Sequence, residues 1–301
     1  MTARSGLLVV DKPPGWTSHQ VVGRVRRLVG TRKVGHAGTL DPMATGVLIL
    51  GVERATRLLG HLALHDKRYL ATVRLGQSTV TDDAEGDVVT APGALDVSPD
   101  SVRVAAAALT GEIEQVPSAV SAIKVDGRRS YARVRAGEEV TLKARRVTVS
   151  RLDVLTTRQA SATDGTQVLD LDIDVECSSG TYVRALARDM GAALGTGGHL
   201  TALRRARIGG FTLKEPHLGP DLEEVPDTAW TSMAAAARRC FPVVEVTADQ
   251  MRALAYGKPL QHPVSVLTAA VGPGETLVGL YGPDGGQAKA QAVLVTPEEV
   301  A

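Results

Sequence analysis

Gly35-His36-Ala37-Gly38-Thr39-Leu40-Asp41-Pro42-Met43-Ala44-Thr45-Gly46-Val47 decides how the rest of the chain is read. Three glycines, a proline and two threonines in one short stretch exclude a packed helix or a central strand. Apolar runs flank it, Leu7 to Val10 before and Val47 to Val52 after. A glycine-rich turn held between buried elements is where a backbone comes close to a ligand. The single acid of the stretch, Asp41, precedes Pro42. That proline biases Asp41 toward an extended backbone, from which its carboxylate can project. An aspartate that only opens a turn and caps an amide has the same local wording.

Working outward, the chain has 301 residues, 44% of them hydrophobic, enough for one large domain and one small one. No apolar run approaches the length of a membrane span. Only Leu7-Leu8-Val9-Val10 precedes Asp11 and Lys12, so no signal peptide is expected. Cys177 and Cys240 match no metal spacing and suit a reducing cytoplasm. Net charge is only +1, which excludes a global charge argument for nucleic acid. The distribution says more. Residues 124–146 carry eight Lys or Arg against three acids, whereas 213–249 carry three bases against seven acids. No Gly-x-Gly-x-x-Gly, Walker loop or His/Cys cluster is present, so nothing calls for a nicotinamide, ATP or a metal.

Read in order, Leu7 to Asp11 predicts a strand, and Thr17 or Ser18 caps a helix that places Val21, Val22, Val25, Leu28 and Val29 on one face and ends at Gly30. Val47 to Val52 predicts a strand, Ala55 to Leu64 a helix, and Lys67 to Gly76 a strand. Thr81-Asp82-Asp83-Ala84-Glu85-Gly86 is an acidic turn without calcium-loop spacing. Ser98 to Leu109 predicts a helix, and Arg128 to Ala136 a short one. Leu169, Leu171, Ile173, Val175 and Cys177 alternate with Asp170, Asp172, Asp174 and Glu176, a half-exposed strand of an antiparallel sheet. Cys177 continues the apolar set and reads as a buried structural thiol. A helix follows over 181–194 and a strand over 203–213. The acidic stretch from Lys214 to Asp227 reads as a connector between domains, with a helix through Ala235. The remainder predicts a strand over 243–246, a helix capped by Thr247, and a hairpin turning at Pro283-Asp284-Gly285-Gly286.

The wording of 35–48, Gly-His-Ala-Gly-Thr-Leu-Asp-Pro-Met-Ala-Thr-Gly-Val-Leu, resembles the signature of the TruB family of pseudouridine synthases. Asp11-Lys12-Pro13, Lys67-Arg68-Tyr69, Cys177 to Asp189 and Leu200 to Arg207 resemble that family's further motifs in order, so the likeness covers 7–213 almost continuously. It implies an α+β fold with a mixed, largely antiparallel sheet over residues 1–238. An RNA-gripping insertion at about 118–146 and a small β-rich PUA-like RNA-binding module over 239–301 complete it. It implies conversion of uridine 55 in the T loop of tRNA to pseudouridine. In that reading Asp41 is the nucleophile, Arg184 its ionic partner and Tyr69 the residue that stacks on the uracil. Lys12 supports the site, His36 fills the space the extruded base leaves, and Leu203 and Tyr182 line the pocket. Lys124, Arg128, Arg129 and Arg133 contact the T arm.

The chemistry fits these residue types. Uridine is joined to ribose through N1 and pseudouridine through C5, so the change is redox-neutral and needs no cofactor. One carboxylate can start it as a nucleophile, attacking either C1′ of the ribose or C6 of the base, and a nearby guanidinium stabilises that anion where water is excluded. The base must leave its stack, at a cost of about a few kcal/mol. The resemblance implies a cytoplasmic monomer that takes tRNA as its partner, with no membrane and no obligate protein. Two rivals share the motifs: a guide-RNA-dependent relative, which lacks the basic insertion, and a tRNA-folding chaperone whose catalysis is incidental.

Overall fold

The structure, a computed structural model, describes residues 4–118, 124–125, 128–129 and 142–300, with backbone alone at 124–125, 128–129 and 287. In chain order the first elements are β1 (Gly6–Lys12), α1 (Ser18–Val29), β2 (Val34–Ala37), β3 (Thr45–Val52), a 3-10 turn (Glu53–Leu58) running into α2 (Leu59–Leu62), and β4 (Lys67–Leu75). Next come β5 (Ser78–Thr79), β6 (Val88–Thr90), α3 (Pro99–Ala108), β7 (Gly111–Gln115), β8 (Lys124–Val125), β9 (Arg128–Arg129), β10 (Arg145–Ser161) and β11 (Gln167–Cys177). The chain ends with α4 (Val183–Ala193), β12 (Gly198–Ile208), β13 (Trp230–Thr231), α5 (Met233–Cys240), β14 (Val243–Glu245), α6 (Ala248–Ala255), β15 (Thr268–Gly272), β16 (Thr276–Asp284) and β17 (Gln287–Val293).

These elements form two compact units. The first comprises residues 1–42, 46–65 and 207–301; the second comprises 43–45 and 66–206. In the first unit β1 pairs antiparallel with both β3 and β13, and β2 pairs with β3. Side chains alternate across a strand, and here both faces are covered. Leu7, Val9, Val47 and Ile49 enter one core cluster, whereas Leu8, Val10, Leu48 and Leu50 enter another with Val21, Val22 and Val25 of α1. That is why 7–10 and 47–52 are unbroken apolar runs. Thr17, not Ser18, caps α1: its hydroxyl takes the Gln20 amide in a capping box, and Gly30 closes the helix at φ 67°.

The segment from Lys214 to Asp227, expected as a connector between domains, is packed into this unit. Leu218 exchanges backbone hydrogen bonds with Val9 and Asp11, and Leu218 and Leu222 lie in the core with Val10. The helix expected through Ala235 starts only at Met233, because Trp230 and Thr231 are drawn into pairing with Leu8 and Leu7. The terminal sheet runs β14-β15-β16-β17, with β14 parallel to β15 and the other pairs antiparallel. Ala269, Val271, Leu277, Leu280 and Leu294 share the core that holds Leu7, Val9 and Ile49. The compact unit therefore does not divide at residue 238.

The second unit carries β12-β4-β11-β10-β7 in that order. The predicted alternation of β11 is real, but its polar side is not simply wet. Arg74 grips Asp170 with two hydrogen bonds of 2.8 Å, Arg68 grips Asp174 at 2.9 and 2.6 Å, and Thr72 donates to Asp172 at 2.8 Å. From β10, Arg151 reaches Asp174 and Glu176, and Arg158 reaches Asp172. The Arg158 guanidinium holds the Asp172 carboxyl down to about 2. Arg74–Asp170 and Arg151–Glu176 are directly opposite, while Arg68–Asp174 and Arg158–Asp172 reach diagonally. Opposite charges so placed on neighbouring strands stabilise a sheet, so the acid alternation encodes cross-strand pairing as well as exposure. The strand expected over 203–213 begins earlier, at Gly198. A side chain on Gly198 would lie 2.4 Å from the Ala187 carbonyl of α4, so this glycine is a close-approach residue within a strand and not a turn.

Candidate active site

Residues 38–44 form the loop between β2 and β3, and its part within the first unit, 38–42, rests on the end of β1 and the start of α1. Gly38 lies at φ 81° and Gly46 at φ 97°, backbone positions that glycine adopts without a steric penalty. The Pro42 carbonyl, just after Asp41, accepts the Gly15 amide at 2.8 Å and the Lys12 ammonium at 3.0 Å. The same ammonium donates to the carbonyls of Pro13 at 2.8 Å and Trp16 at 2.6 Å, and Lys12 is fully buried. A buried ammonium surrounded by three carbonyls is an inward-facing support. On the other side, Leu40 is held by the buried Ser18 hydroxyl. Asp41 is half-buried between these anchors. His36 sits on β2 opposite Leu50, with the His19 ring edge-on at 6.2 Å.

The second unit holds the other expected site residues. Tyr69 lies on β4 opposite Val175 and is buried at 7% exposure. Lys67, two residues before it on the same face, is also buried; desolvation, helped by the Arg205 charge, pushes its ammonium down to about 8. Arg184 lies in the first turn of α4, 4% exposed. Its guanidinium donates to the Thr81 carbonyl at 2.9 Å and pairs with the Asp83 carboxylate at 3.4 Å. Asp83 is itself locked, accepting the Thr81 hydroxyl at 2.5 Å and the Glu85 amide at 3.0 Å. Neighbouring Asp82 has φ 59°, an uncommon backbone for a non-glycine residue, and faces Arg188 at 3.3 Å. Burial pushes the Asp82 carboxyl up. Tyr182 caps the start of α4 through its backbone: its amide donates to the buried Gln115 side chain at 2.8 Å, and its carbonyl accepts from it at 3.1 Å. Leu203 borders a groove of about 440 Å³ that is also lined by Met43, Thr45, Leu70 and Arg204. Cys177 is buried, and burial pushes its thiol up to about 11, as befits an inert core thiol.

Sequence reasoning missed Asp83, Gln115 and Ser18. For Asp83 a signal was available, since its turn is acidic and closes at Gly86, but such a composition points first to a metal loop. Gln115 and Ser18 carry no periodic or motif signal; their importance comes from the residue each side chain reaches. Of the expected RNA contacts, Lys124, Arg128 and Arg129 lie in the β8–β9 pair, so the helix expected from Arg128 does not start there. Arg133 lies outside the described residues. Among the described residues no group of His, Cys, Asp and Glu could hold a metal ion, and no helix is long and apolar enough to cross a membrane.

The architecture is that of the pseudouridine synthases. A Cbf5-Nop10-Gar1 complex contains a chain that matches it with TM-score 0.73 and 26% identity, over 98% of this chain and 86% of that one. An H/ACA RNP bound to a substrate RNA containing 2′-deoxyuridine contains another, with TM-score 0.70 and 25% identity over 97% and 86%. The model for the TruB family pseudouridylate synthase N-terminal domain matches residues 26–183, and that for the tRNA pseudouridylate synthase B C-terminal domain matches 184–278. The chain belongs to the TruB family. The tRNA pseudouridine synthase B of Cutibacterium acnes is 57% identical over 298 residues, spanning 98% of this chain and 99% of the relative. That of an Arthrobacter species is 53% identical over 305 residues, 98% of each.

Proposed function

We propose that this protein isomerises uridine 55 in the T loop of tRNA to pseudouridine, with Asp41 as the nucleophile acting on a flipped-out base. The observation that carries this reading is the Asp41 loop: one acid in a glycine-rich turn whose two neighbouring residues are both tied to buried groups. Fixed geometry is what a nucleophile needs if the reaction is to be effectively unimolecular. In the reaction the N1–C1′ bond breaks, the base turns, C5 bonds to C1′ and loses its proton, and N1 gains one. Arg184, on the rigid start of α4, stabilises the Asp41 anion, while Asp83 and the Thr81 carbonyl fix the guanidinium. Tyr69 stacks on the uracil and assists the loss of the C5 proton. His36 fills the gap the base leaves, Leu203 and Tyr182 line the pocket, and Lys12 supports the loop. The reaction is redox-neutral and runs in the cytoplasm without a cofactor. The likeness to a tRNA pseudouridine synthase B at 57% identity over 98% of this chain and 99% of that one, with the basic stretch 118–146 that the guided relatives lack, favours a stand-alone tRNA enzyme over a guided one. Incubating the purified protein with an unmodified T-arm stem–loop and mapping pseudouridine at position 55 tests this; no product without a guide RNA would refute it.

Tyr69→Phe keeps the stacking face, so RNA affinity should hold while single-turnover product formation falls by about 100-fold. Arg184→Lys keeps the charge but loses the planar fork, and the rate should fall comparably. Quench-flow rates near wild type for both variants would remove these residues from the catalytic set.

The basic stretch should act on binding instead. Changing Arg128, Arg129 and Arg133 together to Ala should weaken tRNA binding at moderate salt and flatten the slope of log affinity against log salt by about two. The saturated single-turnover rate should change little. An unchanged slope in filter binding across a salt series would show that this stretch is not the RNA clamp.

A further inference from the structure

We infer that Ser18 is a positioning residue for Asp41, one that sets the place of the nucleophile without touching the substrate. The inference rests on the reading of Asp41 given above. The Ser18 hydroxyl makes two hydrogen bonds to one residue: it accepts the Leu40 amide at 2.9 Å and donates to the Leu40 carbonyl at 3.2 Å. That carbonyl belongs to the peptide leading into Asp41. Ser18 is 2% exposed and Leu40 4%, so neither backbone group has easy recourse to bulk water. Ser18 is also the first residue of α1, between the Thr17 and Gln20 that form its capping box, so the hydroxyl is mounted on a rigid helix start. Beyond Asp41, the Pro42 carbonyl is pinned by Gly15 and Lys12. The residues before and after Asp41 are therefore fixed independently, and the Ser18 side chain holds the leading one. Small errors in placing a reacting group cost large factors in rate.

The test compares Ser18→Ala with Val25→Ala, a core truncation in the same helix that leaves the loop contacts intact. Each is assayed well below its own Tm for tRNA affinity and for single-turnover rate at saturating RNA. Ser18→Ala should lose about 30-fold or more in rate with affinity within about twofold, whereas Val25→Ala should keep both. Ser18→Thr, which restores the hydroxyl, should recover most of the rate. A Ser18→Ala rate within about threefold of wild type, or a loss that Val25→Ala reproduces, overturns the inference. If Ser18→Ala does not fold, Ser18→Cys replaces it; a wild-type rate there also overturns the inference. Asp41→Asn runs in parallel. If it retains turnover, the nucleophile reading fails; if it is dead while Ser18→Ala is normal, only the Ser18 inference fails.

Discussion

Asp41→Asn is expected to abolish turnover while tRNA affinity stays within about twofold of wild type. The substitution keeps size and shape and removes the anion. The loop should keep its form, because these anchors do not involve the Asp41 carboxylate: Ser18 holds Leu40, and Gly15 and Lys12 hold Pro42. Loss of rate with preserved binding is the signature of a group used only in the transition state. The measurement is a single-turnover assay at saturating tRNA on variant protein checked for deamidation back to aspartate, since even a small reverted fraction would mimic a slow enzyme. A rate within about tenfold of wild type would sink the assignment and, with it, the roles given to Arg184 and Tyr69. Rescue of a null strain by this variant would favour the chaperone reading.

Removing residues 239–301 is expected to leave the first unit without a cooperative fold. A separable RNA-binding module would leave the first 238 residues stable. Here Phe241, Ala269, Val271, Leu277, Leu280 and Leu294 lie in one core with Leu7, Val9 and Ile49. Burying a Val, Leu, Ile or Phe side chain contributes about 1.5–3 kcal/mol, and a whole domain is stable by only about 5–15 kcal/mol. Losing the large members of this set, and exposing the strands beneath them, exceeds that margin. The check is a urea titration of the truncated chain followed by circular dichroism. A sharp transition with the midpoint of the full protein would show that the terminal sheet is dispensable to the fold.

Much of the fold was legible in the sequence because local rules and tertiary contacts agreed. The apolar face of α1, its cap and Gly30 give the helix to within a residue, and the 169–177 alternation gives β11. What was illegible depended on partners far along the chain. Trp230 and Thr231 become strand only because Leu8 and Leu7 are there to pair. Leu218 lies in an acidic, proline-containing stretch, and nothing nearby announces that Val9 and Asp11 will bind its backbone. Gly198 lies ahead of the strand expected over 203–213 and is nonetheless a strand residue, its backbone close against α4. The site divides in the same way. Asp41 is visible through the long stretch around it, whereas Ser18, Gln115 and Asp83 matter through the residue each one grips, a relation that spacing does not encode.

The discontinuity of the first unit has a consequence for the order in which the protein can be made. As the chain leaves the ribosome, all of the second unit is available once residue 206 has emerged. The first unit then has β1, α1 and β3 but neither β13 nor the terminal sheet, and the pairing of Leu8 with Trp230 cannot form before residue 230 exists. Leu7, Val9 and Ile49 must wait longer still, for Leu280 and Leu294. The segment that carries Asp41, made before either of these partners, is thus among the last to acquire its full surroundings, and an unfinished chain holds Asp41 in an unfinished core.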